Sequence, residues 1–504
     1  MSQVLNLQIK GLVTNSNNLS PQVIDGGGLN IAKNVVIDSQ NQISSRRGFE
    51  GLAPFSNSSD RADAMTVYQE KVIVRRSNDN KLSHFDGSST WTDYSGTYSH
   101  PDSSYARMKF AQANGNLYFT TSDGVQVLDS IAGPVYKTGM PRGLDGNAST
   151  TGASGFMSDN TQVAYRIVWG TRDASNNLYL GSPSQRILVS NSSGGTRDVS
   201  LTFTIPSGIT TSDFFQVYRS GMSSGSSVEP NDDVQLVYEA NPSSGEISAK
   251  SVTFTDATPD SLKGAYLYTN ANQEGIAESN DIPPNAKDIV LFKNFMFYAN
   301  VTFNQQIGID LLAVGGSSGL VVNDTITIDG MVFTAKAATT VASREFKVFT
   351  TGSASQNIDD TARELVKVIN QYSSNTSYYA YYDSGYGDLP GQITIQARAS
   401  AASTFVVSVS RSTAWSLDNS GTSQNFEYEH GLMWSKIQQP EHVPTSHLEF
   451  IGSKNHPIRR ILALRDSLFI FKDDGVYRLT GNNGSWVIEP SDTSTILIAP
   501  ESAV

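Results

Sequence analysis

A recurring unit constrains this chain more than any other feature. Residues 71–95 read KVIVRRSNDNKLSHFDGSSTWTDYS, and residues 467–491 read SLFIFKDDGVYRLTGNNGSWVIEPS. Each has an apolar strand, a polar turn, a second strand ending in a small-residue turn (Asp86-Gly87, Thr480-Gly481) and then a tryptophan strand (Trp91, Trp486). A third copy, NGNLYFTTSDGVQVLDS at 114–130, shares an Asp-Gly-Val turn with Asp474-Gly475-Val476, and LFKNFMFYANV at 291–301 is a weaker fourth. Such a unit is a meander of antiparallel strands with tight turns. It cannot bury both its faces alone, and stacking copies around an axis buries them, so the spacing predicts a propeller-like, multi-sheet body.

Composition agrees. Only 17% of the 504 residues are charged and 41 are glycine, and Ser, Thr and Asn are plentiful, which disfavours helix and favours strands joined by turns. The chain has no cysteine, which excludes disulfides, thiolate metal sites and thiol catalysis. No apolar run approaches the roughly 18 residues that a membrane span needs, and MSQVLNLQIKGL lacks the pattern of a secretory leader. The formal net charge is −12. A protein that grips DNA by neutralising phosphates needs clustered Lys and Arg, whereas an acidic wall repels phosphate and lets it slide.

The patterning divides the chain into an N-terminal hairpin with propeller-like blades (1–155), a β-sandwich (156–262), a return to the body (263–306), an inserted α+β module (307–412) and a last stretch of body (413–504). In the sandwich, TQVAYRIVWGTRD, DVSLTFTI, DFFQVYRSG, VQLVYEA and SVTFTDAT are alternating strands. Their order, with Tyr218-Arg219-Ser220 and the closing Phe-Thr-Asp-Ala, resembles fibronectin type III domains. The α+β module holds the one convincing helix, NIDDTARELVKVINQY. Ile358, Ala362, Leu365, Ile369 and Tyr372 trace its apolar face, and Asn357 is the expected N-cap. The module is expected to fold by itself and to project from the body.

Tests for chemistry are mostly negative. Gly221-Met222-Ser223-Ser224-Gly225 matches the nucleophile-elbow pattern, but a loop with a proline follows it where the mechanism needs a helix. His442, His447 and His456 cluster without metal-ligand spacing, in a stretch read as a solvated loop. Ser83 to Trp91 approaches the Asp-box of sialidase-like propellers and departs from it because Asp86 adjoins Gly87. No enzyme activity, cofactor or metal is expected. The tyrosines Tyr378, Tyr379, Tyr381, Tyr382 and Tyr386 are the best candidate contact surface, since aromatic side chains offer apolar area with a polar handle. One face of this strand is expected to pack on the helix. That leaves Tyr379, Tyr381 and Tyr386 for a partner or glycan.

Residues 8–52, QIKGLVTNSNNLSPQVIDGGGLNIAKNVVIDSQNQISSRRGFEGL, hold a hairpin running into Arg46-Arg47-Gly48-Phe49. This stretch resembles the opening of the tail nozzle, or tail tubular protein B, family of short-tailed bacteriophages, with Gly26-Gly27-Gly28 in place of the family's Pro-Gly-Ala-like run. The resemblance implies a non-enzymatic virion protein with propeller-like and inserted β domains. It would form a cyclic homo-oligomer, a hexamer, around the DNA exit channel, next to the tail adaptor ring proteins and tail fibres and without sequence-specific DNA binding. Arg46 and Arg47 would then anchor the hairpin, through carboxylates or a neighbouring subunit. The alternative is a tail-tip module that contacts a host surface glycan. The apolar stretch Thr495 to Ala499 reads as the start of a further strand, whose partner comes either from residues beyond Val504, as the resemblance implies, or from an N-terminal strand such as Val4 to Ile9.

Overall fold

Two-residue turns shape most of the hairpins. The computed structural model describes residues 11–12, 28–29, 35–37, 43–45, 53–102, 106–270, 275–384, 389–400 and 402–503. Within it, Gln69-Glu70, Asn114-Gly115, Lys293-Asn294 and Asn483-Gly484 each take positive φ at both positions. That backbone matches the right-handed twist of the flanking strands, so each turn closes a hairpin directly. The protein is mainly β, in several antiparallel sheets.

The chain divides into two units, residues 1–58 with 87–91, and residues 59–86 with 92–504. In the first, β1 (Gly11–Leu12) and β2 (Gly28–Leu29) pair in parallel, and β3 (Val35–Ile37) pairs with β4 (Ile43–Ser45) as an antiparallel hairpin. The Trp91 indole belongs to this unit, where it donates to the Ala53 carbonyl at 3.1 Å and lies 5.2 Å from the Phe55 ring. Arg46 and Arg47 lie outside the described residues.

The second unit opens with two four-stranded meanders. The first is β5 (Ala62–Tyr68), β6 (Lys71–Arg76), β7 (Leu82–Phe85) and β8 (Trp91–Asp93), of which Thr92 and Asp93 belong to this unit. The next is β9 (Phe110–Ala113), β10 (Asn116–Thr121), β11 (Gly124–Leu128) and β12 (Tyr136–Lys137). All six residues of β10 are buried, because its two faces serve two cores. Leu117 and Phe119 join Tyr68, Ile73 and Leu82, while Tyr118 joins Ile289, Met296 and Tyr298.

Eight strands and a short helix make the sandwich region. They are β13 (Gly146–Thr151), β14 (Thr161–Arg172), β15 (Leu178–Leu180), β16 (Ile187–Asn191), β17 (Asp198–Thr204), β18 (Phe214–Arg219), β19 (Gln235–Ala240), α1 (Ser244–Ala249) and β20 (Ser251–Asp256). Strands β13, β17 and β20 form one sheet, and β14, β15, β16, β18 and β19 another. Trp169, Ile167, Phe215 and Val217 from one sheet meet Val199, Leu201, Phe203 and Val252 from the other. The first strand therefore begins ten residues before position 156. Helix α1 adds to the one helix expected, and a capping box between Ser243 and Glu246 starts it.

The remaining strands are β21 (Asn285–Phe292), β22 (Phe295–Leu311), β23 (Thr325–Ile328), β24 (Met331–Lys336), β25 (Glu345–Lys347), β26 (Tyr378–Tyr382), β27 (Gln392–Ala397), β28 (Val407–Val409), β29 (Trp415–Leu417), β30 (Gln424–Trp434), β31 (Leu448–Phe450), β32 (Ile458–Leu464), β33 (Ser467–Lys472), β34 (Gly475–Asn482) and β35 (Ser485–Asp492). Helix α2 (Ala354–Gln371) precedes β26. The 17-residue β22 is the spine of a seven-stranded sheet. Its first half pairs with β21 and β30, and its second half with β27 and β29. Phe295 and Phe297 pack on the meander β32–β35, and Ile307 and Ile309 pack in the core beneath α2.

Several expectations need correction. Position 307 lies inside β22, so the α+β module shares a strand with the body. It also leans on the sandwich: Arg363 pairs with Asp145, Asn147 donates to Glu364 at 3.2 Å, and Gln371 donates to Thr204 at 3.2 Å. The N-cap of α2 is Ser353, whose hydroxyl accepts the Gln356 N–H at 3.3 Å. Asn357 instead ties back to both backbone groups of Gly352. Residues 495–499 form no strand, because β35 already completes a four-stranded meander. The segment turns back, and Glu501 pairs with Lys109 at 2.5 Å. The turn before β34 is Asp473-Asp474, and Gly475 follows at φ +140. A Cβ at Gly475 would sit 2.7 Å from the Asp492 carbonyl oxygen, so only glycine fits there.

Candidate functional site

Strand alternation divides the tyrosine cluster. Tyr378 and Tyr382 on β26 are buried on the α2 side of the sheet; Tyr382 donates to Asp359 of that helix at 2.7 Å, and Tyr378 donates to Asp329 in the β23–β24 turn at 2.7 Å. Tyr379 and Tyr381 point to the other side of the sheet and are half-buried. Their cross-strand partners there are Gln396 and Thr394 on β27, and Gln306 on β22 pairs with Gln396 in turn. Tyr386 lies outside the described residues.

That side of the sheet is the floor of an open cleft of about 560 Å³. Phe303, Phe426 and Tyr428 form one end, with the Phe303 and Tyr428 rings 6.0 Å apart. Segments distant in sequence supply the walls, including Lys137 at the end of β12, Arg142 beyond it and the run Ile282 to Asn285 that leads into β21. Two guanidinium groups lie over the tyrosines. Arg398 sits 4.1 Å from the Tyr379 ring centre and Arg142 sits 5.0 Å from that of Tyr381. The Tyr379 and Tyr381 rings are 5.9 Å apart. The result is a layered aromatic and cationic surface.

The polar groups differ in how far they are satisfied. Arg142 approaches Asp383 at 3.6 Å, and Asp281 accepts the Ser279 hydroxyl at 2.9 Å and the Ser182 hydroxyl at 2.5 Å. Arg398 donates from Nε to the Tyr378 carbonyl at 3.0 Å and from Nη1 to the Ser207 hydroxyl at 2.5 Å. Lys137 reaches the Ser400 hydroxyl at 3.4 Å. Neither Arg398 nor Lys137 is in ion-pair contact with a carboxylate among the described residues, although the Asp123 carboxylate lies near enough to Lys137 to oppose the lowering of its pKa. Desolvation by the cleft walls lowers the pKa of both and raises that of the Tyr381 phenol.

The other residues singled out in the sequence have structural partners. Ser223 donates to the Gly225 carbonyl at 2.7 Å and accepts the Gln162 N–H at 2.8 Å, so it ties a loop to β14. The stretch holding His442 is not a solvated loop, because residues 440–444 are buried. Packing of Val443 into the core beside β10 carries the flanking Glu441 and His442 inward. Glu441 accepts the Tyr118 hydroxyl at 2.7 Å and the Gly139 N–H at 3.0 Å, and burial pushes its pKa up to about 7. Burial pushes His442 down to about 3. His447 stacks on Trp434, with ring centres 5.2 Å apart. Among the described residues, no group of three or more His, Asp or Glu side chains is arranged to hold a metal ion, and no helix is long and apolar enough to cross a membrane.

Sequence reasoning found Tyr379 and Tyr381 and missed Lys137, Arg142 and Arg398. Arg398 follows directly on β27, the hairpin partner of β26, so its closeness to Tyr379 was readable from the hairpin. Arg142 lies more than 200 positions upstream and left no local signal.

No known protein family matches the chain, and no characterised protein does. Among solved structures, the extracellular domain of a B. thetaiotaomicron one-component system aligns over 88% of this chain and 78% of its own, at 10% identity and a TM-score of 0.12. PorZ, a surface component of the type-IX secretion system of Porphyromonas gingivalis, aligns over 87% and 76%, at 10% identity and a TM-score of 0.13. Likenesses this low carry no argument about fold or function.

Proposed function

We propose that this chain is a structural virion protein, a component of a phage tail nozzle. Copies of it would form a closed ring around the channel through which the genome leaves, and the protein would carry out no catalysis. The observation that carries this reading is the opening stretch 8–52, with its hairpin running into Arg46-Arg47-Gly48-Phe49. Two features support it. Stacked meanders joined by two-sided sheets such as β9–β12 suit a rigid wall, and a net charge of −12 suits a conduit that does not hold DNA. In this reading the tail adaptor ring and the tail fibres are its neighbours.

The test is assembly. Purified full-length chain, viewed by electron microscopy and sized by light scattering, should form closed six-fold rings. A strict monomer near 54.4 kDa at high concentration would sink the reading. So would tight duplex-DNA binding with a steep salt dependence.

The cleft at Tyr379 and Tyr381 favours a second reading, a tail-tip module that contacts a host surface glycan. Half-buried aromatic rings beside amide and charged groups offer a saccharide both apolar contact and hydroxyl recognition.

A further inference from the structure

We propose that the cleft over β26 and β27 binds a carboxylated oligosaccharide, with a sugar ring against Tyr379 or Tyr381 and its carboxylate at Lys137 and Arg398. This inference rests on the glycan-contact reading and narrows it to a chemical class.

Charge is the first argument. The chain carries 36 Lys and Arg against 48 Asp and Glu, so most cations should find a carboxylate. Three cations (Lys137, Arg142, Arg398) and two carboxylates (Asp281, Asp383) line the cleft. Both carboxylates are already engaged, Asp383 by Arg142 and Asp281 by the hydroxyls of Ser182 and Ser279. Lys137 and Arg398 are therefore the groups left to meet an incoming anion. Cations with no carboxylate in ion-pair contact among the described residues, Lys137 feeling Asp123 only at longer range, gain most from a ligand that brings one.

Shape and chemistry are the second argument. The cleft volume lies in the usual range for small-ligand pockets, and the site is concave where a protein interface would be broad and flat. Its floor alternates aromatic rings with the amides of Gln306 and Gln396, which are joined to each other at 3.3 Å. Rings and amides side by side match the apolar faces and equatorial hydroxyls of a sugar. A nucleic acid strand fits less well. Only three cations are present, one of them paired, and the acidic chain around them repels phosphate.

The experiment titrates the full-length chain by calorimetry, at low salt, with tetragalacturonate and with α2,8-linked trisialic acid. Maltotetraose is the neutral control and a four-residue oligothymidylate the nucleic-acid control. At least one carboxylated ligand should bind. Lys137→Ala, at an exposed position, should weaken it about tenfold, and Lys137→Arg should retain it. Tyr381→Ala should abolish binding; if that variant does not fold, Lys137→Ala alone carries the test. Equal binding of maltotetraose, indifferent to Lys137→Ala, would overturn the acidic class and leave the glycan-contact reading standing. No binding of any saccharide would overturn both. Preference for the oligothymidylate would overturn the proposal in favour of single-stranded nucleic acid.

Discussion

Two buried carboxylates in this protein have been accommodated in opposite ways. Asp256, in the sandwich core, and its partner Arg219 are both fully buried. Arg219 contacts Asp256 at 2.5 Å, donates to the Thr258 carbonyl at 2.7 Å and to Asp260 at 2.8 Å, and stacks 3.6 Å from the centre of the Phe156 ring. Asp256 also accepts the Tyr165 hydroxyl at 2.8 Å and the Thr258 N–H at 2.9 Å. Glu441, between β10 and the segment after β30, is 1% exposed and meets hydroxyl and amide donors but no cation among the described residues. Tyr118 and the Gly139 N–H bond to it, with Tyr179 and Asp173 close by. A guanidinium offsets much of the cost of burying a charge, and hydroxyl donors offset less of it. The sandwich therefore depends on an ion pair, while the junction at Glu441 holds a carboxylate poised near neutrality.

The largest expected effect comes from breaking the ion pair. Arg219→Ala leaves Asp256 buried without its cation and should cost about 3–5 kcal/mol. The loss would show as reduced hydrogen-exchange protection along β14 and β18. Adding Asp256→Ala should recover part of it, and purely additive losses would break the comparison.

Glu441 should reveal itself through pH. Its pKa is raised from 4.5 to about 7 in the folded protein. Below pH 4.5 the group is protonated whether folded or unfolded, and its contribution to stability is complete. As pH rises from there to about 7, the unfolded chain releases the proton first, so the folded state loses stability. The loss totals about 3 kcal/mol and then levels off. Glu441→Gln should flatten this part of the melting profile and give a protein more stable than the parent at pH 8. An unchanged profile would mean that the carboxylate reaches water. Asp288 and Asp360, both raised to about 6 chiefly by burial, act in the same direction and contribute to the slope that remains.

The smallest effect sharpens the contrast. Tyr165→Phe removes one donor from an aspartate that keeps its guanidinium, and should cost about 1 kcal/mol. Tyr118→Phe removes a donor from a carboxylate with little else, and should cost about 1–3 kcal/mol at pH 8, fading at acid pH. Equal costs at both sites, independent of pH, would remove the distinction.

Neither carboxylate was singled out in the sequence, although one of them lies in a patterned stretch. Arg219 ends β18, which is paired on both sides, and Asp256 ends β20, and along such strands an alternating pattern turns each side chain in or out. Glu441 fell in a Pro- and His-containing stretch with no period, and its burial was misread as solvation. The same limit explains the C-terminal segment. Its apolar residues suggested a strand, yet Ile496 and Ile498 are 53% and 86% exposed because the adjoining sheet is already complete. At the start of α2, two good capping residues lay four positions apart. The earlier one won, because Asn357 could bond to Gly352 from within the helix.

What the sequence determined by itself was local: mainly β structure, the positions of the hairpins, and the side of the sheet that each tyrosine of β26 faces. Turn backbone and period-two alternation need no distant partner, so a few residues suffice to specify them. The tertiary structure alone decided which segments meet. It ran β22 through two cores, brought Arg142 and Lys137 to a strand more than 200 residues away, and enclosed Glu441 where no cation among the described residues reaches it. Such meetings depend on how whole sheets stack, and stacking is set by the summed shape of many side chains rather than by any short run of them.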